Sequence, residues 1–322
     1  MKSVNPVKIV IVAIYFGRLP NYFQLWLDSC GRNTSFTWLF ITDCILNDYS
    51  VPPNVLVKSS DLKTIKKLFS DRLGTDIALE TPYKLCDYRP IYWLLLDAYD
   101  IECDFWGHCD IDVLFGRLHL FVTPELLDRY DRIFGLGHLS LMRSCPLAKL
   151  AFSFQSSAPS WKTIFSKSKT IGFDEHWGVN RTWDEWPLLF HEDESIAADI
   201  DPQFRSFRLT DPSMNLSRQL FYMEDGAIYQ GSFNRNGEWI KREYAYIHFQ
   251  KRPMPIGSGV LGAERLLIGP AGFTCLPSLP RDEAELQMLP GAMTAISYIE
   301  WKARVKTWLR YKKRGLLRVL TK

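Results

Sequence analysis

Two aspartates separated by one residue, Asp110-Ile111-Asp112, follow the run Phe105 to Cys109 and precede a second apolar run, Val113 to Phe115. In an extended segment residues i and i+2 project to the same side, so both carboxylates can face one cleft at the mouth of a buried strand. Acids held that close repel, and burying them is costly without a counter-charge. A hard cation such as Mg²⁺ or Mn²⁺, itself holding a diphosphate, supplies that charge. The same tripeptide also ends strands in ordinary turns, so its meaning depends on its surroundings.

The elements around it predict an α/β chain. Val7 to Phe16 is a continuous apolar run, as expected of a parallel strand covered on both faces, and Gly17 to Asn21 turns the chain. A helix is predicted from Tyr22 to Cys30 with Gly31 just past its end, then a strand from Phe36 to Thr42 and a short one from Val55 to Val57. An amphipathic helix follows from about Asp61 to Leu73, capped by Ser60. Tyr92 to Tyr99 reads as a helix and Phe105 to His108 as the strand that carries the acids. Beyond them lie a helix at Leu126 to Tyr130 and strands at Arg132 to Gly135 and Leu139 to Arg143. Ser153 to Asp201 reads as irregular. A hairpin is predicted from Ala227 to Gln230 and Glu238 to Tyr244, turning through Gly231 to Gly237, and Tyr246 to Phe249 as a last strand. Such an order favours a doubly wound sheet that binds ligands beyond the carboxyl ends of its strands.

Composition agrees with a folded globular chain: 322 residues, 47% hydrophobic, 14% aromatic and 23% charged. The seven cysteines show neither C-x-x-C pairs nor zinc-like spacing, which favours reduced thiols in a cytoplasmic protein. Val7 to Phe16 lacks a small-residue cleavage site and reads as a strand rather than a leader. The net charge of +3 is unevenly spread: nine Lys or Arg and no acid lie between Trp301 and Lys322, so the remainder is acidic.

Four segments together resemble a family: Tyr83-Lys84-Leu85-Cys86-Asp87-Tyr88-Arg89-Pro90, the stretch Asp104 to Gly116 containing both acids, Gly137-His138-Leu139-Ser140-Leu141, and His248-Phe249-Gln250-Lys251. The pattern is similar to bacterial glycosyltransferases of the GT-A fold, of a DUF6625-like type found in clusters for capsule and lipopolysaccharide synthesis. The resemblance covers about residues 7 to 255. It implies a GT-A-like, Rossmann-type mixed sheet flanked by helices, a nucleotide-sugar donor (UDP-linked), a glycan or lipid-linked glycan acceptor, and Mn²⁺ or Mg²⁺. Asp112 is then the direct metal ligand, Asp110 a ligand or a ribose and water contact, and His248 a completing ligand. As a bland alternative, His248 is a packed histidine in a strand. Lys84, Asp87, Arg89 and Lys251 become donor contacts, and Tyr15, Gly17 and Asp43 surround the nucleobase and ribose. A solvated turn serves equally for the first three, and Asp43 equally caps a turn. Asp174 or Glu175 is the implied base for an acceptor hydroxyl, with Glu192-Asp193-Glu194 competing, and a retaining enzyme would need neither. His108 points away from Asp112 and counts as core.

The domain expectation is a donor- and acceptor-binding domain over residues 1–280 and a helical basic tail over 281–322. Trp301, Val305, Trp308, Leu309, Leu316, Val319 and Leu320 recur at helical spacing beside a basic face, which suits an anionic membrane surface. A helix packed on the core would also fit. No base-reading motif is present, so nucleic acid is not an expected partner. The protein is expected in the cytoplasm, peripheral on the inner membrane. Two readings from other classes stay open: a phosphohydrolase forming an aspartyl phosphate at the D-x-D, and a membrane-associated scaffold without activity.

Overall fold

A computed structural model describes residues 6–204, 206–250 and 252–292. It divides into two compact units, Met1–Ala197 and Ala198–Lys322.

The first unit is built on a seven-stranded mixed sheet flanked by helices, the Rossmann-type architecture expected. Its elements in chain order are β1 (Ile9–Tyr15), α1 (Phe23–Arg32), β2 (Phe36–Thr42), β3 (Val55–Ser59), α2 (Leu62–Leu73), α3 (Trp93–Ala98), β4 (Phe105–Cys109), β5 (Val113–Phe115), α4 (Pro124–Arg129), β6 (Arg132–Leu136), β7 (Leu139–Arg143), α5 (Pro146–Leu150), α6 (Trp161–Phe165), α7 (Val179–Glu185) and β8 (Phe190–His191). The strands lie in the order β3-β2-β1-β4-β7-β6-β8. β1 is central and parallel to both neighbours, pairing Ile9 with Phe36 on one side and with Phe105 on the other. With helices over both faces its residues Ile9 to Ala13 are all buried, which is why the run is apolar without alternation. Val10, Val12, Leu39 and Trp106 on one face pack with Ile65 and Phe69 of α2 and Leu95 of α3. Phe23 and Trp26 of α1 gather with Phe40, ring centroids 5.1 and 5.4 Å away.

Local signals deviate from expectation at two places. Asp61, not Ser60, caps α2, its carboxylate accepting from Thr64 N at 2.7 Å. α1 runs through Gly31 to Arg32, because that glycine provides space: a Cβ there would lie 2.9 Å from Pro52 Cγ. The interval read as irregular holds α6, α7 and β8, each too short to leave a periodic signature.

A 3₁₀ segment, Pro82–Ile91, carries Lys84 and Asp87 into the interior as an ion pair of 2.7 Å with no exposed side-chain surface. Lys84 Nζ also donates to the carbonyls of Ile164 and Lys169, both at 3.0 Å. The Asp87 carboxylate accepts from the backbone N–H groups of Ile171, Gly172 and Phe173. The pair therefore stitches the 3₁₀ segment to α6 and the loop after it, 80 to 86 positions later.

The second unit contains β9 (Ala197–Asp199), β10 (Leu220–Glu224), β11 (Ala227–Phe233), β12 (Trp239–Tyr244), β13 (Tyr246–His248), β14 (Arg265–Gly269), β15 (Gly272–Cys275) and α8 (Glu283–Met288). A five-stranded antiparallel sheet has the order β12-β11-β10-β14-β15. The predicted hairpin forms with a shorter turn, since β11 continues through Gly231 to Phe233, opposite Trp239. Gly231 again supplies room, here for the Trp239 indole. β10, β14 and β15 were not anticipated. Leu286 of α8 and Ala292 lie in the core of this unit. Residues 293–322, which carry the basic helix expectation, lie outside the described residues. No helix among the described residues is long and apolar enough to cross a membrane.

Replacing Lys84 by Met is expected to leave Asp87 as an uncompensated buried charge, destabilising the protein by about 3–5 kcal/mol. Urea unfolding measures this, and a loss below about 1 kcal/mol, the scale of an exposed pair, would contradict the burial.

Candidate functional site

In an open α/β sheet, ligands bind beyond the carboxyl ends of the strands where the chain reverses its direction of winding. Here β2 and β3 lie on one side of β1 and β4 on the other, so the reversal falls between β1 and β4. Tyr15 ends β1, Asp43 follows β2, and Asp110 follows β4. Gly17, with φ of 105°, turns the chain and donates its N–H to Asp43 Oδ1 at 2.9 Å. Cys44 Sγ donates to the Gly17 carbonyl at 2.7 Å. The half-buried Tyr15 hydroxyl donates to the Arg18 carbonyl at 2.8 Å. Burial raises the Tyr15 pKa, and Cys44 and Asp112 reinforce the effect. Tyr22 is raised likewise, by burial and then by Asp112. The acidic motif thus shares one strand-end region with Tyr15, Gly17 and Asp43.

Asp110, Ile111 and Asp112 form the bend between β4 and β5, with Ile111 buried at 6% exposure. Asp110 and Asp112 are half-buried, and their carboxylates offer oxygens within 4.8 Å of each other. This pair of hard oxygen donors fits Mg²⁺ or Mn²⁺. Arg89 balances part of the negative charge. Only 7% exposed, it donates to Asp110 Oδ1 through Nη2 and to Asp174 Oδ2 through Nη1, the latter at 2.6 Å. Burial opposes its charge, but Asp110, Cys86 and Asp174 outweigh burial and hold its pKa well above the ordinary arginine value.

Asp174 is 2% exposed, and its pKa is raised to about 7: burial drives it up, Arg89 opposes, and Glu175 adds to the rise. Glu175 is half-buried and accepts from the Gly137 N–H at 2.9 Å. Gly137 lies in the β6–β7 turn, which is shaped by a bulge: the register shifts between Ile133 and Leu136, and Phe134 takes a φ of 67°. The bend seats Gly137 against the charged cluster, where an added Cβ would lie 2.6 Å from Arg89 Nη1 and 2.7 Å from Asp174 Oδ2. Only glycine fits without moving the clamp.

Lys84 and Asp87 have no surface from which to touch a donor, and their bonds serve the interior. Burial, a tertiary outcome, overrides the solvated-turn reading of those charges. Arg89, two positions on, does reach the cluster. His108 is 1% exposed, edge-on to Tyr92, and burial, with Arg89 and Arg132, holds its pKa far below normal, in accord with a core role. His248 ends β13 in the second unit, where its Nδ1 lies 2.8 Å from Asp199 Oδ1. Gln250, at φ 53°, donates to the same oxygen at 2.7 Å. Lys251 lies outside the described residues. The sequence reading missed Tyr22 and the closeness of Gly137 to the cluster. For the latter, the Gly135-Leu136-Gly137 spacing between two strands was the available signal. A cavity of about 540 Å³, lined in part by Trp93, Asp104 and Lys149, opens at the other end of β4 and takes no part.

The family of unknown function DUF6625 matches residues 11–277. The chain belongs to this family. No curated protein matches it. Among solved structures, this DUF6625 chain is similar to mouse xyloside xylosyltransferase 1 in its apo form, with 11% identity over 78% of this chain and 100% of that one, TM-score 0.43. It is similar to the galactosyltransferase LgtC in complex with donor and acceptor sugar analogues, with 12% identity over 91% and 99%, TM-score 0.41. A glycosyltransferase involved in glycosylation of the major capsid of PBCV-1 is a third, with 9% identity over 60% and 85%, TM-score 0.34.

Because the folded pKa of Asp174 is raised to about 7, its contribution to stability is fully present below the ordinary carboxylate range and is lost as pH rises through about 7. The difference in Tm between wild type and Asp174→Asn should therefore shift against wild type between about pH 4 and pH 7. A difference that stays flat across that window would show Asp174 to be ionised throughout.

Proposed function

We propose that this DUF6625 protein is a metal-dependent glycosyltransferase. It would move a sugar from a nucleotide-sugar donor, UDP-linked, to a glycan or lipid-linked glycan in the synthesis of cell-surface polysaccharide of the O-antigen or capsule kind. The observation that carries the reading is the half-buried acid pair Asp110 and Asp112 at the end of β4, beside the winding reversal and backed by Arg89. The sequence pattern around that pair supplies the donor and acceptor class.

In such a transfer the bond from the anomeric carbon to the donor phosphate breaks, and negative charge grows on the departing diphosphate. Groups that hold this charge more tightly in the transition state than in the ground state accelerate the reaction. Asp110 and Asp112 would hold Mn²⁺ or Mg²⁺, which would supply positive charge at the leaving group. Arg89 fixes Asp110 in place and keeps the acid pair from repelling itself open. Tyr15, Gly17 and Asp43 are proposed around the nucleoside, and Lys251 at the diphosphate. Of the two acids at 174 and 175, Glu175 is the better candidate to take a proton from an acceptor hydroxyl, since it is half-buried while Asp174 is committed to Arg89.

With Mn²⁺ present, the protein should bind or slowly hydrolyse one member of a panel of UDP-, GDP-, dTDP- and CMP-sugars, detected by released nucleotide. Asp112→Asn should reduce that signal roughly 100-fold or more while far-UV CD is unchanged. No response to any donor, or full activity in the variant, would sink the reading. The basic segment from Trp301 is further proposed to hold the protein peripherally on the cytoplasmic face of the inner membrane. Truncation after Glu300 should abolish co-sedimentation with anionic vesicles, and unchanged sedimentation would reject the membrane role.

A further inference from the structure

The loop that delivers Asp174 and Glu175 has a second side. Between Phe173 and Gly178 the chain closes a tight turn, with Gly178 N donating to the Glu175 carbonyl at 2.8 Å and Val179 N to the Phe173 carbonyl at 2.7 Å. Gly178 packs so closely on the Phe173 backbone that a Cβ there would collide with it. Asp174 and Glu175 thereby face the interior cluster, and His176 and Trp177 face outward.

Trp177 keeps 67% of its surface exposed, unusual for the largest apolar side chain. The Arg181 guanidinium lies 5.0 Å from its ring centroid, a cation–π contact that orients the indole. Beside it the exposed His176 ring stands between two glutamates, Nε2 at 3.1 Å from Glu194 Oε1 and Nδ1 at 3.7 Å from Glu192 Oε1. Glu192 is steadied by the buried Asn180 amide at 3.5 Å. An oriented aromatic face at Trp177, with two carboxylates gathered around the adjacent His176, is amphipathic in a particular way. It matches a pyranose ring, which offers C–H groups on one face and vicinal hydroxyls at its edge. A carboxylate has about four acceptor positions, so each glutamate can take hydroxyl donors in addition to its present contact.

We infer that the outward side of this turn is a carbohydrate-binding ledge, with Trp177 as stacking platform and Glu192 and Glu194 as hydroxyl acceptors, and that it holds the acceptor glycan. The acceptor role rests on the glycosyltransferase reading; the carbohydrate ledge itself does not.

The test is binding of the intact protein to a printed array of neutral and amino-sugar oligosaccharides, with affinities then measured by calorimetry for the best binder. Trp177→Ala and the double variant Glu192→Gln/Glu194→Gln should each weaken binding about 10-fold or more without lowering Tm, since these side chains lie on the surface. Wild-type binding retained in Trp177→Ala would overturn the proposal, as would wild type binding no oligosaccharide. It would also be overturned if the cluster proved to be a cation site, with Glu192→Gln/Glu194→Gln abolishing Zn²⁺ or Mn²⁺ binding while leaving the array signal unaffected. Oligosaccharide binding that depends on Trp177 in a protein that takes no nucleotide sugar would uphold the ledge and reject the glycosyltransferase reading instead.

Discussion

One buried guanidinium organises the strand-end site. Arg89 reaches Asp110 beside β4 and Asp174 on a distant loop, and each carboxylate depends on it for compensation. Without that cation the acids would be anionic groups in a poorly solvated setting, and each would either protonate or swing toward water. The clamp therefore does two things at once. It holds the Asp110 carboxylate, and it anchors the loop that bears Glu175. The same contact ties up Asp174, which is why the neighbouring glutamate is better suited to accept a proton.

The clamp is supported from behind by a second buried pair. Lys84 and Asp87 are on the 3₁₀ segment that also carries Arg89, and through backbone bonds they hold the loop leading to Asp174. Ion pairs of this kind contribute little net stability compared with apolar packing, yet are costly to break by halves. What they add is positional definition, because Asp87 accepts three successive N–H groups and allows that loop one path.

How much of this could be read from the sequence differs from element to element for physical reasons. The central strands were legible because a parallel strand covered on both faces needs an unbroken apolar run, and Ile9 to Ala13 has one. That Asp110 and Asp112 stand close together was legible because one residue separates them. The role of Lys84 and Asp87 was hidden: local sequence gives charged residues a default of solvent, and their burial is set by partners 80 or more positions away. Glycine misled twice for one reason. Gly31 and Gly231 were read as chain terminators, whereas each makes room for a neighbour, Pro52 and Trp239. Backbone freedom and lack of volume are both consequences of a missing Cβ, and sequence does not distinguish which one a fold is using. Of the strands missed in the second unit, β10 and β14 are interior and buried almost throughout, so no alternation marks them in a five-residue run.

The separation along the chain of the clamp's partners has a consequence for how the protein is made. Arg89 and Asp174 are 85 positions apart, as are Asp87 and the Gly172 amide it accepts from. During synthesis the β1 to β4 sheet can form while Lys84, Asp87 and Arg89 still await the loop that completes them, so closure of the charged interior is a late, non-local step. A nascent chain halted before Phe173 would already hold Arg89 and Asp110 but lack Asp174, the second carboxylate of the guanidinium. The full clamp is thus a property of the finished unit.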